Sequence, residues 1–367
     1  MSLFARSWQA LLRRPWKPLT FPNKGFAVIP ADIRIEEETV PDYVATRYYP
    51  AIIGEILCSR YQVVGKLGFG STSTVWLARD LRWVGCILLL IWLLNSCSSC
   101  QHVALKLFIE SNSIASEQDN ELNVYNSIRN SSPDHPGRTA IRSLLDSFYV
   151  DGPNGKHQCL VHSPLWGSMF QVRHLSPDKK LPEVLVAIML KRIFQALDLL
   201  HNECHVAHTD ISESNLLLKA NEDVLTTFEE AELKEPCPRK ELKGRTIYVS
   251  RELSIPESWD APILSDFGST TRLNDGAEHR DDIQPNVYRS PEVIMDIPWS
   301  YSVDIWNVGC MVWDTLDGRH LFTGYDPEAK IYRGRAHLAE MIALLGPPPS
   351  DLLARAKLRS KFFSDSG

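Results

Sequence analysis

The sequence has no hydrophobic run long enough to cross a bilayer. Its one candidate, Val84 to Leu94, is eleven residues long, whereas a spanning helix needs roughly 20. No membrane span is therefore expected. Metal-type cysteine spacing is missing as well. Of the 8 cysteines, Cys97 and Cys100 form a single CxxC, with no second pair and only His102 nearby. That usage points to ordinary reduced thiols and a cytosolic or nuclear protein. Acidic residues are absent from residues 1–31, where Arg6, Arg13, Arg14, Lys17 and Lys24 alternate with Leu3, Phe4, Trp8, Leu11 and Leu12. Such a stretch reads either as a mitochondrial presequence or as a disordered basic arm, and Pro15, Pro18 and Pro22 favour the arm. No apolar run of secretory-signal type follows those charges. An excess of positive charge is also lacking. The net charge of -6 argues against direct nucleic-acid binding and would suit a basic substrate.

What is present is an ordinary globular composition, 44% apolar and 23% charged, in a chain long enough for two lobes with ample core. Acidic "IEEETVPDY" gives way to apolar "YYPAIIGEIL", so ordered structure is expected from about residue 48. In "YQVVGKLGFGSTSTVWLARD" a β-rich stretch, Tyr61 to Val64, precedes glycines and an alternating Val75 and Leu77. This predicts a hairpin turning at Gly68 to Ser73. Gly68 and Gly70 can bring backbone N–H groups against phosphate oxygens where a Cβ would intrude, though a plain tight turn gives the same pattern. Ser73 stands at the third glycine position of G-x-G-x-x-G-x-V. "HVALKLF" then places Lys106 in an apolar strand. Its ammonium needs a charged partner if it is inward-facing, and Glu121 on a predicted helix is the candidate. The alternative is a snorkelling lysine and a solvated glutamate.

Between those strands lies "VGCILLLIWLLNSCSSCQ", residues 84–101, where a turn of roughly 2–5 residues would suffice. Eighteen residues correspond to 18 × 3 = 54 nucleotides, and the terminal valine and glutamine are compatible with codons beginning GT and ending AG. The segment reads either as a translated short intron or as a genuine greasy insertion.

Further on, "LVAIMLKRIFQALDLLHNECHVAHTD" has helical apolar spacing through Leu200 and then a loop carrying Asp210 and Asn215. An aspartate followed five residues later by an asparagine is the arrangement in which one orients and deprotonates a substrate hydroxyl and the other holds Mg²⁺. Asp266 in "ILSDFGST" is a second magnesium candidate. Alone, D-F-G means little; the order of glycine loop, V-A-L-K, H-x-D-x-x-x-x-N and D-F-G is specific.

With "YYPAIIGEILCSRYQVVGKLGFGSTSTVWLARD", "HTDI", "VYRSPEVI", "WSYSVDIWNVGCMVWDTLDG" and "HLAEMIALLGPPP", the chain resembles a eukaryotic protein kinase, and within that family the fungal relatives of the SR-protein kinases. The resemblance covers residues 48 to about 350. It implies a bilobal α+β fold: an arm at 1–47, a β-rich lobe at 48–165 with the 84–101 insertion, and a mainly helical, incomplete lobe at 166–367 with a polar insertion at about 220–255. It further implies ATP and Mg²⁺ as cofactors. Leu67, Gly68, Gly70, Ser73, Val75, Ala104, Lys106, His162, Ser163 and Leu165 would contact ATP, with His162 as gatekeeper and Pro164 in the hinge. Lys106, Glu121 and Asp210 would be the catalytic set, Asn215 and Asp266 would hold metal, and Asp304 would anchor the catalytic loop. Arginine/serine-rich proteins are the implied substrates of a monomeric enzyme in cytoplasm and nucleus.

Three departures stand out. Ser212 occupies the position of a lysine that contacts the transferred phosphate in most relatives. Thr209 replaces an arginine that often pairs with a phosphorylated loop. The chain stops at "KFFSDSG", leaving Glu292 without the arginine that family members supply to it. A serine/threonine kinase slowed by Ser212 is the expected function, and a non-catalytic pseudokinase binding ATP or a partner is the alternative. The acid-rich 221–243 stretch reads as a solvated excursion without a fixed fold over part of its length.

Overall fold

A computed structural model describes residues 17–82, 102–110, 115–274 and 276–364. The apolar 84–101 segment and the basic stretch before Lys17 lie outside the described residues. In chain order the strands are β1 (Ile56–Leu57), β2 (Tyr61–Phe69), β3 (Ser73–Asp80), β4 (His102–Phe108), β5 (Leu144–Asp151), β6 (Lys156–His162), β7 (Leu165–Ser168), β8 (Val206–Ala207), β9 (Leu216–Lys219), β10 (Arg239–Leu242), β11 (Arg245–Tyr248), β12 (Ile263–Leu264), β13 (Thr271–Arg272), β14 (Tyr325–Asp326) and β15 (Ile331–Tyr332). The helices are α1 (Ala115–Asn130), α2 (Met169–Leu175), α3 (Glu183–Asp198), α4 (Glu222–Lys234), α5 (Pro291–Ile294), α6 (Ser302–Asp317) and α7 (Gly334–Leu345), followed by two short turns of helix. They form two compact units, one β-rich and one mainly helical, which is the bilobal α+β organisation expected. The first is Met1–Ala115, Ser143–Trp166 and Lys219–Trp259; the second is Ser116–Arg142, Gly167–Leu218 and Asp260–Gly367.

The first unit is built on a six-stranded sheet in the order β1-β2-β3-β4-β6-β5. Alternation along β3 sends Leu77 to one cluster, with Val64, and Trp76 and Ala78 to another, with Leu105 and Val161. Two elements of the polar insertion, expected to lack a fixed fold over part of its length, complete both clusters. Helix α4 brings Leu225 and Phe228 to the first, and the β10–β11 hairpin brings Tyr248 to the second. The 221–243 stretch therefore folds. Asn221 caps α4 by accepting a hydrogen bond from the Val224 N–H at 3.0 Å, and Val224, Leu225 and Phe228 are buried along one helical stripe. Order also begins before residue 48. Ile29 and Ala27 exchange backbone bonds with Arg239 (2.9 and 3.1 Å), Gln62 holds Leu19 through both its backbone groups, and residues 36–39 form a 3-10 turn.

In the second unit, α3 buries Val186, Met189, Ile193, Ala196 and Leu197 on one helical face and runs into a wider turn at Leu199–Glu203. Helix α6 ends on Gly318 with φ 82°, a left-handed cap that glycine adopts without strain. A Cβ there would also lie 2.8 Å from the Asp178 carbonyl oxygen. Antiparallel β9–β12 pairing (Leu216↔Leu264) sets the residues after the catalytic loop beside those preceding Asp266. No helix among the described residues is long and apolar enough to cross a membrane.

Candidate active site

In the first unit, β2 and β3 pair as far as Gly68↔Val75 and Phe69↔Thr74, with register shifts between Val63 and Gly65 and between Lys66 and Gly68, and the Gly70 N–H donates to the Ser73 carbonyl at 2.8 Å. The predicted glycine hairpin is thus formed. A Cβ on Gly68 would meet nothing within 4 Å, so the loop's glycine leaves open space rather than relieving a clash in the protein. Val75 pairs with Lys106, and Ala104 with His162. The register thereby sets the residues expected around the nucleotide on neighbouring strands of one sheet. Lys106 is half-buried, with its ammonium 5.0 Å from the Phe108 ring centroid. His162 is buried, its Nδ1 3.0 Å from the Ser143 carbonyl. Ser163 and Leu165 follow it at the end of the unit.

The second unit gathers Asp210, Asn215, Glu121, Asp266 and Asp304. Asp304, wholly buried at the start of α6, organises the loop. Its Oδ2 accepts from the His208 N–H (2.8 Å) and faces His201 Nε2 (2.7 Å), while Oδ1 accepts from the Thr209 N–H (2.7 Å). One carboxylate thus satisfies two consecutive backbone donors that burial would otherwise strand. It also holds Thr209 at φ 66°, an uncommon conformation for a β-branched residue. The Thr209 hydroxyl donates to the Ser269 carbonyl at 2.7 Å, so the residue replacing an arginine binds the segment after Asp266 by itself.

Asn215 Nδ2 donates to both the Asp210 carbonyl and Asp210 Oδ2, each at 2.8 Å. This fixes the aspartate's rotamer and turns the Asn215 Oδ1 lone pairs away from it. Burial pushes the Asp210 carboxyl above its ordinary value, and the Asp266 charge adds to that; His208 and the Asn215 bond work the other way. Asp266 adopts φ 64°. A Cβ on Gly268 would approach Asp266 Oδ1 at 3.5 Å and Glu121 Oε2 at 4.0 Å, which places both carboxylates beside that glycine. Arg142, half-buried, lies within charge reach of Glu121 and Asp266, and desolvation lowers its guanidinium's pKa.

Behind the carboxylates, Tyr125, Phe267 and His208 form an aromatic column. Phe267 meets Tyr125 edge-on at 5.3 Å and His208 at 5.5 Å. The His208 N–H is the one held by Asp304, so column and loop share an anchor. Asn120 Nδ2 donates to the Thr270 carbonyl (2.6 Å) and reaches Thr270 Oγ1 (3.2 Å) and the Gly268 carbonyl (3.4 Å). The sequence reading missed Asn120 and Arg142. Asn120's position directly before Glu121 was the available signal; Arg142, at the foot of a strand, offered none. Ser212 is half-buried and its carbonyl accepts from the Asn215 N–H at 3.1 Å. The next residue, Glu213, is buried against Arg173 Nε at 2.7 Å. Glu292 makes no ion pair among the described residues.

The donor set fits magnesium, which takes few protein oxygens and keeps phosphate and water ligands. Asn215 Oδ1 and the Asp266 carboxylate are such oxygens, and among the described residues no cluster of three His, Cys, Asp or Glu side chains offers an all-protein cage. A cavity of about 800 Å³ in this unit is lined by Asp210 together with Thr209, Asp281, Asp282 and Gln284, and none of its described lining residues is cationic.

Comparison with known proteins bears on the same features. Residues 93–361 match the protein kinase domain family. A serine/threonine protein kinase of Aspergillus fumigatus is 36% identical over 371 residues, covering 100% of this chain and 85% of that protein. The serine/threonine-protein kinase SRPK of Physarum polycephalum is 29% identical over 350 residues, 90% of this chain and 78% of that one. SRSF protein kinase 3 of Mus musculus is 33% identical over 183 residues, 50% of this chain and 30% of its own.

Proposed function

Because the chain belongs to the protein kinase family, as an ATP-dependent serine/threonine kinase of the SR-protein-kinase-like branch, we propose that its acceptor is serine in arginine/serine-rich protein segments. In this reading Asp210 orients the serine hydroxyl and receives its proton. Its raised pKa favours that role, since a stronger base removes the proton more readily. Asn215 and Asp266 hold Mg²⁺, which when bound shields the charge of the phosphates. Lys106 and the backbone N–H groups from Gly68 to Ser73 take phosphate oxygens. Val75 and Ala104 offer apolar contact to the adenine, and Leu67, His162, Ser163 and Leu165 complete its surroundings. Glu121 keeps the cationic machinery in place by its charge.

The observation that carries the substrate class is the cavity at Asp210, whose described lining holds Asp281 and Asp282 and no cation, Asp282 being paired with Arg289 at 3.1 Å and Asp281 leaving the net charge negative. A guanidinium beside the acceptor serine would be drawn into such a field, and an acidic peptide repelled. The names of the Physarum and mouse relatives support the same class.

The test is γ-phosphoryl transfer from radiolabelled ATP to an arginine/serine peptide and to the same peptide with glutamine at every arginine. We expect transfer to the first only, weakened by salt, and a fall of about 10²–10⁴-fold in Asp210→Asn. Equal transfer to both peptides would overturn the substrate class. Equal transfer by parent and Asp210→Asn would overturn the assigned base.

A further inference from the structure

The 3-10 turn Glu36–Thr39 precedes the first strand of the six-stranded sheet, yet it grips strand β2 one residue ahead of Leu67 and the glycine loop. Lys66 is almost fully buried, 1% exposed. Its ammonium donates to Glu37 Oε2, lies 3.2 Å from Glu36 Oε2, and reaches the Tyr248 carbonyl at 3.3 Å. Leu67 and Gly68 follow directly. The same turn binds the inserted hairpin. Both Glu38 oxygens face Lys240 Nζ at 2.9 Å, while Glu36 accepts from the Ser250 N–H (3.0 Å) and hydroxyl (2.6 Å). The Lys66 carbonyl in turn accepts from the Arg251 N–H at 3.0 Å. Glu36 sits at φ 53°, a strained conformation for glutamate that persists only where surrounding contacts over-determine it.

We propose that Glu37, Glu36 and Lys66 are positioning residues for ATP: a charged clamp that fixes the end of β2 and so presets the Leu67–Phe69 backbone where nucleotide phosphates bind. The clamp never touches ATP. It rests on the kinase reading above and adds the arm and the insertion to it as parts of the nucleotide machinery. The physical case is the choice of residues. A lysine removed from water needs compensating charge, and here that charge comes from a segment outside the sheet. An apolar residue at 66 would suffice to fill the space, but it would leave the strand end with no directional hold. Two carboxylates and a carbonyl converging on one ammonium fix its position from three sides.

The clamp acts on the fraction of molecules whose loop is competent. If releasing it leaves that fraction at about one tenth, apparent ATP affinity falls about tenfold, while bound molecules react as before. Glu37→Gln, which keeps shape and removes charge, is therefore expected to raise KM for ATP about tenfold with kcat changed less than about twofold. Lys66→Arg should restore most of the affinity that Lys66→Met loses. Arg60→Gln breaks an ion pair with Asp80 at the other end of β2 and controls for general loosening; it should lower the melting temperature and leave KM for ATP alone.

The measurement is steady-state kinetics at varied ATP on the whole chain, with thermal unfolding of each variant. A folded Glu37→Gln with the parent's KM overturns the inference alone. A parent chain that is folded but does not bind Mg·ATP overturns the kinase reading, and this inference with it. Should Glu37→Gln fail to fold, Ser250→Ala removes only the hydroxyl bond to Glu36 and should still raise KM, by a smaller factor; an unchanged value there also overturns the clamp.

Discussion

The catalytic loop, residues 208–215, and the strap made of residues 17–47 with the 220–255 insertion are both crowded with polar side chains, but they are held in opposite ways. In the loop one carboxylate, Asp304, binds backbone N–H groups of His208 and Thr209. A side chain such as that of Ser212 is left free to vary chemically without moving the chain. In the strap, beside the backbone bonds of Leu19, Ala27 and Ile29, the buried charges pair side chain to side chain: Glu38 with Lys240, Glu36 and Glu37 with Lys66, Glu232 with Arg251, Glu229 with Arg79. There a change of residue removes a bond that holds the segment in place. Backbone-held segments can evolve their reactivity, whereas side-chain-held segments fix the partners they chose.

That contrast can be broken most forcefully at Lys240. Lys240→Ala leaves Glu38 buried without its cation, and losing one partner of a buried pair costs about 3–5 kcal/mol. We expect a large drop in the melting temperature of the β-rich unit, read by thermal unfolding. A shift no larger than that of an exposed lysine variant would mean that the strap is not held by its charges.

A smaller effect, on rate instead of fold, is expected in the loop. Ser212→Lys should leave thermal unfolding unchanged and raise turnover on an arginine/serine peptide about tenfold, equivalent to about 1.4 kcal/mol of transition-state stabilisation. The added ammonium would meet charge that develops on the transferred phosphoryl group. A destabilised Ser212→Lys would show that side-chain fit matters in the loop after all.

The smallest effect is a pH dependence in the strap. His102 stands between Glu222 (2.6 Å) and Glu229 (3.1 Å), with Arg79 on the far side of Glu229 at 3.4 Å. Burial pushes the imidazole pKa down, but the hydrogen bonds and charges of the two glutamates outweigh it, and the net direction is up. A raised folded-state pKa means the folded protein binds the proton more tightly than the unfolded chain. The resulting stability is fully present below the unfolded value of about 6.5 and is lost as pH rises through the folded one. Thermal unfolding of the parent should therefore weaken across that window, and His102→Gln should flatten the slope.

The same contrast explains what the sequence disclosed. The glycine hairpin, Lys106, Asp210, Asn215 and Asp266 were legible because each belongs to a short pattern whose spacing is dictated by chemistry within a few residues. The strap was not. Glu38 and Lys240 are 202 positions apart, Glu36 and Ser250 214, and an "EEE" run looks the same whether it is solvated or buried. For α4 a signal did exist. Asn221 before two acids, then Val224, Leu225 and Phe228 at helical spacing, and Lys234 in the last turn outline a capped amphipathic helix. The surrounding acids Glu229, Glu230, Glu232 and Glu235 drew the reading toward a linker. Two of them, Glu229 and Glu232, are buried ion-pair partners.

The contacts of Lys66 also set an order of events during synthesis. Glu36 and Glu37 leave the ribosome before it, but the Tyr248 carbonyl and the Arg251 N–H that hold its ammonium and carbonyl follow some 180 residues later. At about 5–20 residues per second that gap is on the order of 10–40 s. For that time the nascent sheet carries β2 with its future cover, α4 and the hairpin, still unmade, and the apolar side chains of Val64 and Leu77 have no Phe228 above them. The β-rich unit, first to begin, is completed only after the catalytic loop has been translated, which makes this interval the one in which a chaperone would have the most to do.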